Sequence, residues 1–219
     1  RRSGGACPMP PPADDALTWR RAPLGKTLHG ITAAAAPPNR YSQARIAWLV
    51  AARYLGLLAL VECLDRRIQI APRDAARGSS RAGFFSTIRE LRRSHYDACI
   101  DLQGLLKSAL LARAVGARHT IGLPRRHLRE PLARLFYTDT PDPGTATHVI
   151  DKGLALLAPL GVEDRRVHFP ITIPRTPALE SVIARFAPGG YVVVNPGAAW
   201  PNKRWPAERF GFVAAAIHK

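Results

Sequence analysis

Residues that bind metals or form disulfides are scarce in this sequence. Its 219 residues include three cysteines, Cys7, Cys63 and Cys99, which are far apart and lack the short spacing of a zinc site. An odd cysteine count without a secretory leader favours a reducing compartment. No cluster of His and Asp supplies a metal site either, and we expect neither a metal nor a cofactor. We expect Cys99, in an apolar strand, to be a core residue.

Long hydrophobic segments are also missing. The longest candidate, residues 46–64, is interrupted by Arg53 and Glu62, and a strand followed by a short helix accounts for it. Residues 1–23 are rich in Arg, Pro, Gly and Ala and lack the apolar core of a signal peptide. We expect this segment to be disordered because of that composition and its clustered prolines. The Arg20-Arg21 pair also makes residues 15–24 a poor central strand.

Acidic residues are few relative to basic ones. The 32 Lys and Arg residues face 16 Asp and Glu residues, which gives a formal net charge of +16. Such an excess suits an acidic substrate, an anionic membrane surface or nucleic acid. Aromatic residues make up only 7% of the chain and form no stacking motif, which counts against specific nucleic-acid recognition. A basic nucleic-acid-binding α/β protein without catalytic activity remains the alternative.

One segment near the end of the sequence is typical of a phosphate site. Residues 191–194, Tyr-Val-Val-Val, predict a buried strand, and Asn-Pro-Gly then ends it. Small residues after the strand let backbone N–H groups approach an anion, and Lys203 adds a positive charge before a helix. An ordinary βα turn with a solvated lysine fits the same pattern.

A second segment, residues 96–113, has the same strand, turn and helix order. Residues 98–102 predict a strand, Gly104 permits a turn, and Leu106 and Leu110 lie on the predicted core face of a helix.

Polar residues cluster around this second turn. Lys107 falls in the first helical turn, where a cation opposes the helix dipole. Two interpretations fit this position equally: a role other than helix stability, or an ordinary exposed lysine. Asp101 and Gln103 follow the strand, where open α/β sheets collect ligands. Either of them could instead cap the loop.

Three ordered segments resemble glycosyltransferase family 9, which includes the lipopolysaccharide heptosyltransferases. They are Tyr-Asp-Ala-Cys-Ile-Asp-Leu-Gln-Gly-Leu-Leu-Lys-Ser from residue 96, Arg-Glu-Pro-Leu-Ala-Arg-Leu-Phe-Tyr from residue 129, and Asn-Pro-Gly-Ala-Ala-Trp-Pro-Asn-Lys-Arg-Trp-Pro from residue 195. The resemblance covers roughly residues 43 to 219.

The resemblance implies an α/β protein of the GT-B type, with paired Rossmann-like domains. Residues 24–173 would form the N-terminal acceptor-side domain, 174–190 a hinge and linker helix, and 191–219 the first strand and helix of a donor-binding domain. A domain of this kind needs on the order of 100 residues or more, so we expect the sequence to be a fragment.

The resemblance also assigns site residues. Those expected at the donor phosphates are Asn195, Gly197, Ala198, Ala199 and Lys203, and those expected at the acceptor are Gln103, Gly104, Lys107 and Arg129. The family's presumed general base is an aspartate, and Lys26 stands at its place. A lysine, with an unperturbed pKa of about 10.4, is protonated and offers no lone pair. His29 is a weak substitute base, since the imidazole pKa of about 6.5 suits proton transfer.

The function implied is transfer of a sugar, with heptose favoured, from a nucleotide-diphosphate sugar such as ADP-heptose to a lipopolysaccharide core acceptor. We expect the chain by itself to be inactive, because the base is replaced and most of the donor domain is absent. The resemblance places the enzyme in the cytoplasm, peripheral to the anionic cytoplasmic face of the inner membrane, with no specific nucleic-acid partner.

Overall fold

The computed structural model of the chain describes residues 15–19, 24–36, 41, 43–70, 79–186, 191–198 and 201–217. The chain divides into two compact units, Arg1–Ile173 (unit 1) and Pro174–Lys219 (unit 2). The strands of unit 1 are β1 (Asp15–Trp19), β2 (Arg45–Ala51), β3 (Arg66–Ile70), β4 (Ala98–Asp101) and β5 (His119–Ile121). Its helices are α1 (Leu24–Ala35), α2 (Leu55–Leu58), α3 (Ser79–Arg93), α4 (Leu106–Val115) and α5 (Val149–Ala155).

The five strands form one parallel sheet in the order β3-β2-β1-β4-β5. Parallel neighbours require crossover connections, and the helices between the strands provide them. The carboxyl ends of all five strands therefore meet at one edge of the sheet. The expected α/β fold with a parallel sheet is confirmed.

The central strand of this sheet lies where the sequence predicts disorder. β1 pairs in parallel with β2 on one side, Ala16 opposite Ile46, and with β4 on the other, Ala16 opposite Ala98. The prediction that all of residues 1–23 are disordered is therefore wrong for Asp15–Trp19, and the acceptor-side domain does not begin at residue 24. A five-residue strand suffices because two neighbours satisfy its backbone, and the strand ends before the two arginines that weighed against it.

Two apolar layers cover the sheet. Alternation along β2 sends Ile46, Trp48 and Val50 into one layer and Ala47 and Leu49 into the other. The first layer contains residues of α1 and α5, and the second contains residues of α3 and α4. The buried Cys99 belongs to the second layer, which confirms it as a core residue.

The buried face of α4 differs from the predicted one. Leu110 is 47% exposed, whereas Leu111 is 4% exposed. The prediction that Leu110 is buried is therefore wrong, and the helix is rotated so that Leu111 faces the core in its place. The buried residues of α4 are Ser108, Ala109, Leu111, Ala112 and Val115.

Unit 2 contains two helices, α6 (Pro177–Phe186) and α7 (Ala207–Ile217), and a short 3-10 turn, Pro201–Lys203. The strand predicted at residues 191–194 is not formed, and Val193 is 80% exposed. A strand needs a hydrogen-bonding neighbour, and none of the residues described from 174 onward is in a strand.

Candidate functional site

The loop that follows β4 is organised by a buried carboxylate. Asp101 ends the strand with no exposed surface. Its Oδ1 accepts hydrogen bonds from the backbone N–H groups of Gln103 at 2.8 Å and Gly104 at 3.2 Å. Gly104 has a φ of 68°, and a Cβ at that residue would lie 2.9 Å from Cδ2 of Leu128. The turn therefore needs both a glycine and the preceding carboxylate.

The second carboxylate oxygen of Asp101 joins two further segments to this loop. Its Oδ2 accepts hydrogen bonds from the hydroxyls of Ser108 and Tyr137, each at 2.7 Å. Ser108 lies in the first turn of α4, and Tyr137 follows the 3-10 segment Pro131–Phe136. One side chain thus fixes the loop, the helix and the 3-10 segment together.

Burial dominates the electrostatics of this cluster. Desolvation raises the pKa of Asp101, and the hydrogen bonds from Ser108, Tyr137, Gln103 and Gly104 oppose that rise. Burial and the adjacent Asp101 carboxyl raise the pKa of the Tyr137 hydroxyl, so it remains a donor. A carboxylate surrounded by four donors holds structure rather than accepting a substrate proton.

A second carboxylate joins the same segments from outside. Oε2 of Glu130 accepts a hydrogen bond from the backbone N–H of Leu106 at 2.7 Å. This N–H is at the start of α4, where a negative charge is favourable. Arg129 adjoins Glu130 in the chain and Lys107 adjoins Leu106, so this hydrogen bond joins the two segments that carry these cations. Both Arg129 and Lys107 are exposed.

The four predicted acceptor residues thus share one end of the sheet. Gly104 is buried, Gln103 is partly buried, and Lys107 and Arg129 present their charges to solvent. Sequence reasoning considered Asp101 only as a ligand or a loop cap, and the structure shows that it caps the loop. It did not identify the anchoring residues Ser108, Glu130 and Tyr137, although Asp101 and Ser108 flank the helix start.

The predicted donor residues lie in unit 2. Oδ1 of Asn195 accepts a hydrogen bond from Gly197 N–H at 3.2 Å, and Arg204 Nε donates to the carbonyl of Ala198 at 2.8 Å. Lys203 ends the 3-10 turn and is exposed. Ala199 lies outside the described residues. Arg204, which fixes the loop, was not singled out from the sequence because it adjoins the more conspicuous lysine.

Lys26, at the family's base position, lies in the first turn of α1, and its side chain is outside the described part of the structure. His29 lies one turn further on, with its ring 5.6 Å from that of His148 in an edge-on arrangement. His148 caps α5 by accepting the N–H of Ile150 at 3.3 Å.

Comparison with known proteins decides the family. Residues 84–219, more than half of the chain, match the sequence profile described as "Glycosyltransferase family 9 (heptosyltransferase)". The chain belongs to glycosyltransferase family 9. Among curated relatives, lipopolysaccharide heptosyltransferase 1 of Pseudomonas aeruginosa is 27% identical over 197 residues, covering 87% of this chain and 54% of that protein. The protein of the same name from Escherichia coli is 26% identical, with 89% and 61% covered.

Two solved structures of family 9 members share the fold. The Escherichia coli heptosyltransferase WaaC with ADP-2-deoxy-2-fluoro heptose aligns with a TM-score of 0.72 at 23% identity, covering 93% of this chain and 65% of that one. A family 9 glycosyl transferase from Veillonella parvula aligns with the same score at 22% identity, with 94% and 60% covered. The GT-B-type, Rossmann-like fold is confirmed, and the chain spans between 54% and 65% of the length of these family 9 proteins.

No helix in the described part of the chain has the length and apolar character needed to cross a membrane.

Proposed function

We propose that unit 1 is the acceptor-side domain of a lipopolysaccharide heptosyltransferase. The observation that carries this proposal is the loop fixed by Asp101, which holds Lys107 and, through Glu130, Arg129 at the carboxyl edge of the sheet. Open α/β sheets bind ligands at that edge. Family membership and the names of the relatives support heptose as the transferred sugar.

The exposed cations suit an acceptor that carries acid groups. The planar guanidinium of Arg129 can donate two parallel hydrogen bonds to a carboxylate or a phosphate, and Lys107 supplies a compact charge beside it. Gln103 and Gly104 would then form the adjacent floor of the acceptor site. The proposed acceptor is the core saccharide of lipopolysaccharide.

The proposed reaction is a displacement at the anomeric carbon of ADP-heptose. The acceptor hydroxyl oxygen bonds to that carbon, the bond to the diphosphate breaks, and the hydroxyl proton passes to a base. Lys26 at the base position is an ammonium group and cannot take the proton. The donor phosphates would lie against the loop of Asn195, Gly197, Ala198 and Ala199, with Lys203 as counter-charge.

We further propose that the protein works in the cytoplasm, at the anionic inner face of the inner membrane. The support is the net charge of +16, since each basic residue near such a surface contributes about 1 kcal/mol of attraction. A lipid-anchored acceptor would make this location useful, because enzyme and substrate would share one surface.

Acceptor binding is tested by isothermal titration calorimetry. The 219-residue chain is titrated with deacylated lipopolysaccharide that lacks heptose. Lys107→Ala and Arg129→Ala should each weaken binding by about 1.5 to 3 kcal/mol, the range for a charged hydrogen bond. Arg118→Ala is the matched control, because Arg118 is also exposed but precedes β5 at the opposite edge of the sheet. Equal binding by all four proteins would contradict the proposal.

The chain alone should release no ADP from ADP-heptose in the presence of this acceptor. Loss of a general base costs about 10²- to 10⁴-fold, and the donor loop lacks a sheet among the residues described in unit 2. The Lys26→Asp variant should likewise remain inactive. ADP release above a control without protein would show that His29 or another group serves as the base.

A further inference from the structure

The 3-10 segment Pro131–Phe136 presents two leucines to solvent. A 3-10 helix has three residues per turn, so Leu132 and Leu135 lie on the same side. They are 62% and 76% exposed. The residue that follows each leucine faces the domain instead. Ala133 is fully buried, and Phe136 packs in the same apolar cluster. The inner side is therefore fixed to the domain, and the leucines form an outward apolar ridge.

Unpaired cations flank this ridge. Arg125 begins the 3-10 turn Arg125–His127, which contacts the segment Pro131–Phe136, and Arg129 lies between the two turns. Both arginines are exposed, and no carboxylate in the described residues forms an ion pair with either. Arg126 differs, because it pairs with Asp142.

The acidic residue next to the segment offsets this charge only in part. The carboxylate of Glu130 accepts the N–H of Leu106 at the start of α4, and among the described residues it forms no ion pair with either arginine. The surface formed by Arg125, Arg129, Leu132 and Leu135, here the leucine–arginine surface, therefore combines exposed apolar side chains with a net positive charge.

We propose that the leucine–arginine surface docks onto an anionic membrane. Leucines that enter the head-group region and arginines that meet lipid phosphates are the two components of interfacial binding. Nucleic acid fits less well, because stacking on bases calls for aromatic side chains at the surface rather than leucines. The surface adjoins Lys107 through the Glu130–Leu106 hydrogen bond, so docking would bring the acceptor site to the lipid. This inference rests on the proposed membrane location, and it identifies the surface that makes the contact.

The test is flotation of the 219-residue chain with vesicles of phosphatidylglycerol and phosphatidylcholine in equal amounts. The double variant Leu132→Ser/Leu135→Ser should lower the partition coefficient by about tenfold or more. Arg125→Ala should lower it about fivefold, and the loss should shrink at high salt. Neither change should alter binding of the soluble deacylated acceptor, so a failure here is distinguishable from failure of the acceptor-site proposal.

Two matched controls use residues at the opposite edge of the sheet. Val167 is 53% exposed and lies near the carboxyl end of α1, and Arg118 is an exposed cation before β5. Val167→Ser and Arg118→Ala should each leave partitioning within twofold of the parent. All variants alter exposed side chains, and equal thermal midpoints would show that they fold.

Several outcomes would overturn the inference. The parent chain could fail to bind vesicles. The control variants could lose as much vesicle binding as the leucine and arginine variants, or the leucine double variant could bind vesicles as well as the parent. If the leucine variant instead lost affinity for duplex DNA or RNA while vesicle binding was unaffected, the surface would be a nucleic-acid contact.

Discussion

Asp101 is the residue on which the candidate site most depends. Its carboxylate accepts four hydrogen bonds, two from backbone N–H groups and two from buried hydroxyls. Asp101→Ala would leave these donors without an acceptor, and a buried donor without a partner costs about 1 to 3 kcal/mol. We expect a loss of about 3 kcal/mol or more in the free energy of unfolding, measured by urea denaturation. A loss below 1 kcal/mol, within the usual range for a surface residue, would contradict this account.

The same carboxylate should make stability depend on pH. Burial raises the pKa of Asp101 in the folded state, so the folded protein binds a proton that the unfolded chain has released. Between the ordinary aspartate value and the raised one, stability is therefore lost as pH increases. Asp101→Asn keeps the shape of the side chain but cannot titrate. The unfolding free energy of this variant, relative to that of the parent, should therefore rise as the pH increases between those two pKa values. A constant difference between the two proteins would show that burial does not shift this group.

Gly122 is required for a steric reason rather than a conformational one. A Cβ there would lie 2.3 to 2.5 Å from three ring atoms of Tyr137, the residue that donates to Asp101. Gly122→Ala should therefore destabilise the protein by about 3 kcal/mol, at the upper end for overpacking. Gly56→Ala is the control, since nothing lies within 4 Å of its added Cβ, and it should be neutral or stabilising by up to about 1 kcal/mol. Thermal unfolding of both variants is the measurement, and equal midpoints would refute the overlap with Tyr137.

At the scale of elements, the burial of side chains along α4 differs from the burial that the sequence pattern predicts. Leu111 is 4% exposed and packs in the second apolar layer, whereas Leu110 is 47% exposed. Leu111→Ala should cost about 2 to 4 kcal/mol, and Leu110→Ala less than about 1 kcal/mol. Chemical denaturation of the two variants tests this directly. A larger loss for Leu110 would restore the helix face that periodicity alone predicted.

The wrong prediction for Leu110 shows which features of the fold can be predicted from the sequence. Short apolar runs identified β2 and β4, and apolar residues at helical spacing identified α4, because those patterns follow from burial and backbone geometry. The rotation of α4 depends on Asp101, which draws Ser108 inward over a separation of seven residues. The central position of β1 likewise depends on pairing with two strands that are distant in sequence. Tertiary contacts of this kind leave no local periodic signal.

The candidate site divides in the same way. Gln103, Gly104, Lys107 and Arg129 are predicted from motifs that lie within short segments. The link between two of those segments, from Glu130 to Leu106, spans 24 residues and could not be inferred from either motif. Sequence therefore predicted the residues at this end of the sheet, but it did not predict what holds their segments together.

At the scale of the whole molecule, the two units differ in how they are stabilised. In the described part of the chain, the clusters of buried apolar residues lie in unit 1, whereas neither α6 nor α7 has a buried residue. Helices of ten or eleven residues are marginal in water without tertiary packing. We therefore expect the backbone amides of α6 and α7 to exchange with deuterium close to the rate of an unfolded chain. Amides of β2 and β4, buried within the sheet, should be protected by most of the global stability.

Hydrogen exchange followed by mass spectrometry resolves these segments, and protein concentration supplies the control. Tyr191, Val192 and Phe212 are 59%, 61% and 77% exposed, so self-association through unit 2 would protect its amides only at high concentration. Protection of α6 and α7 equal to that of β4 at every concentration would mean that unit 2 packs its helices within a single chain. That result would contradict the exposure of both helices, because amides in a helix without buried residues have no global unfolding barrier to cross before they exchange.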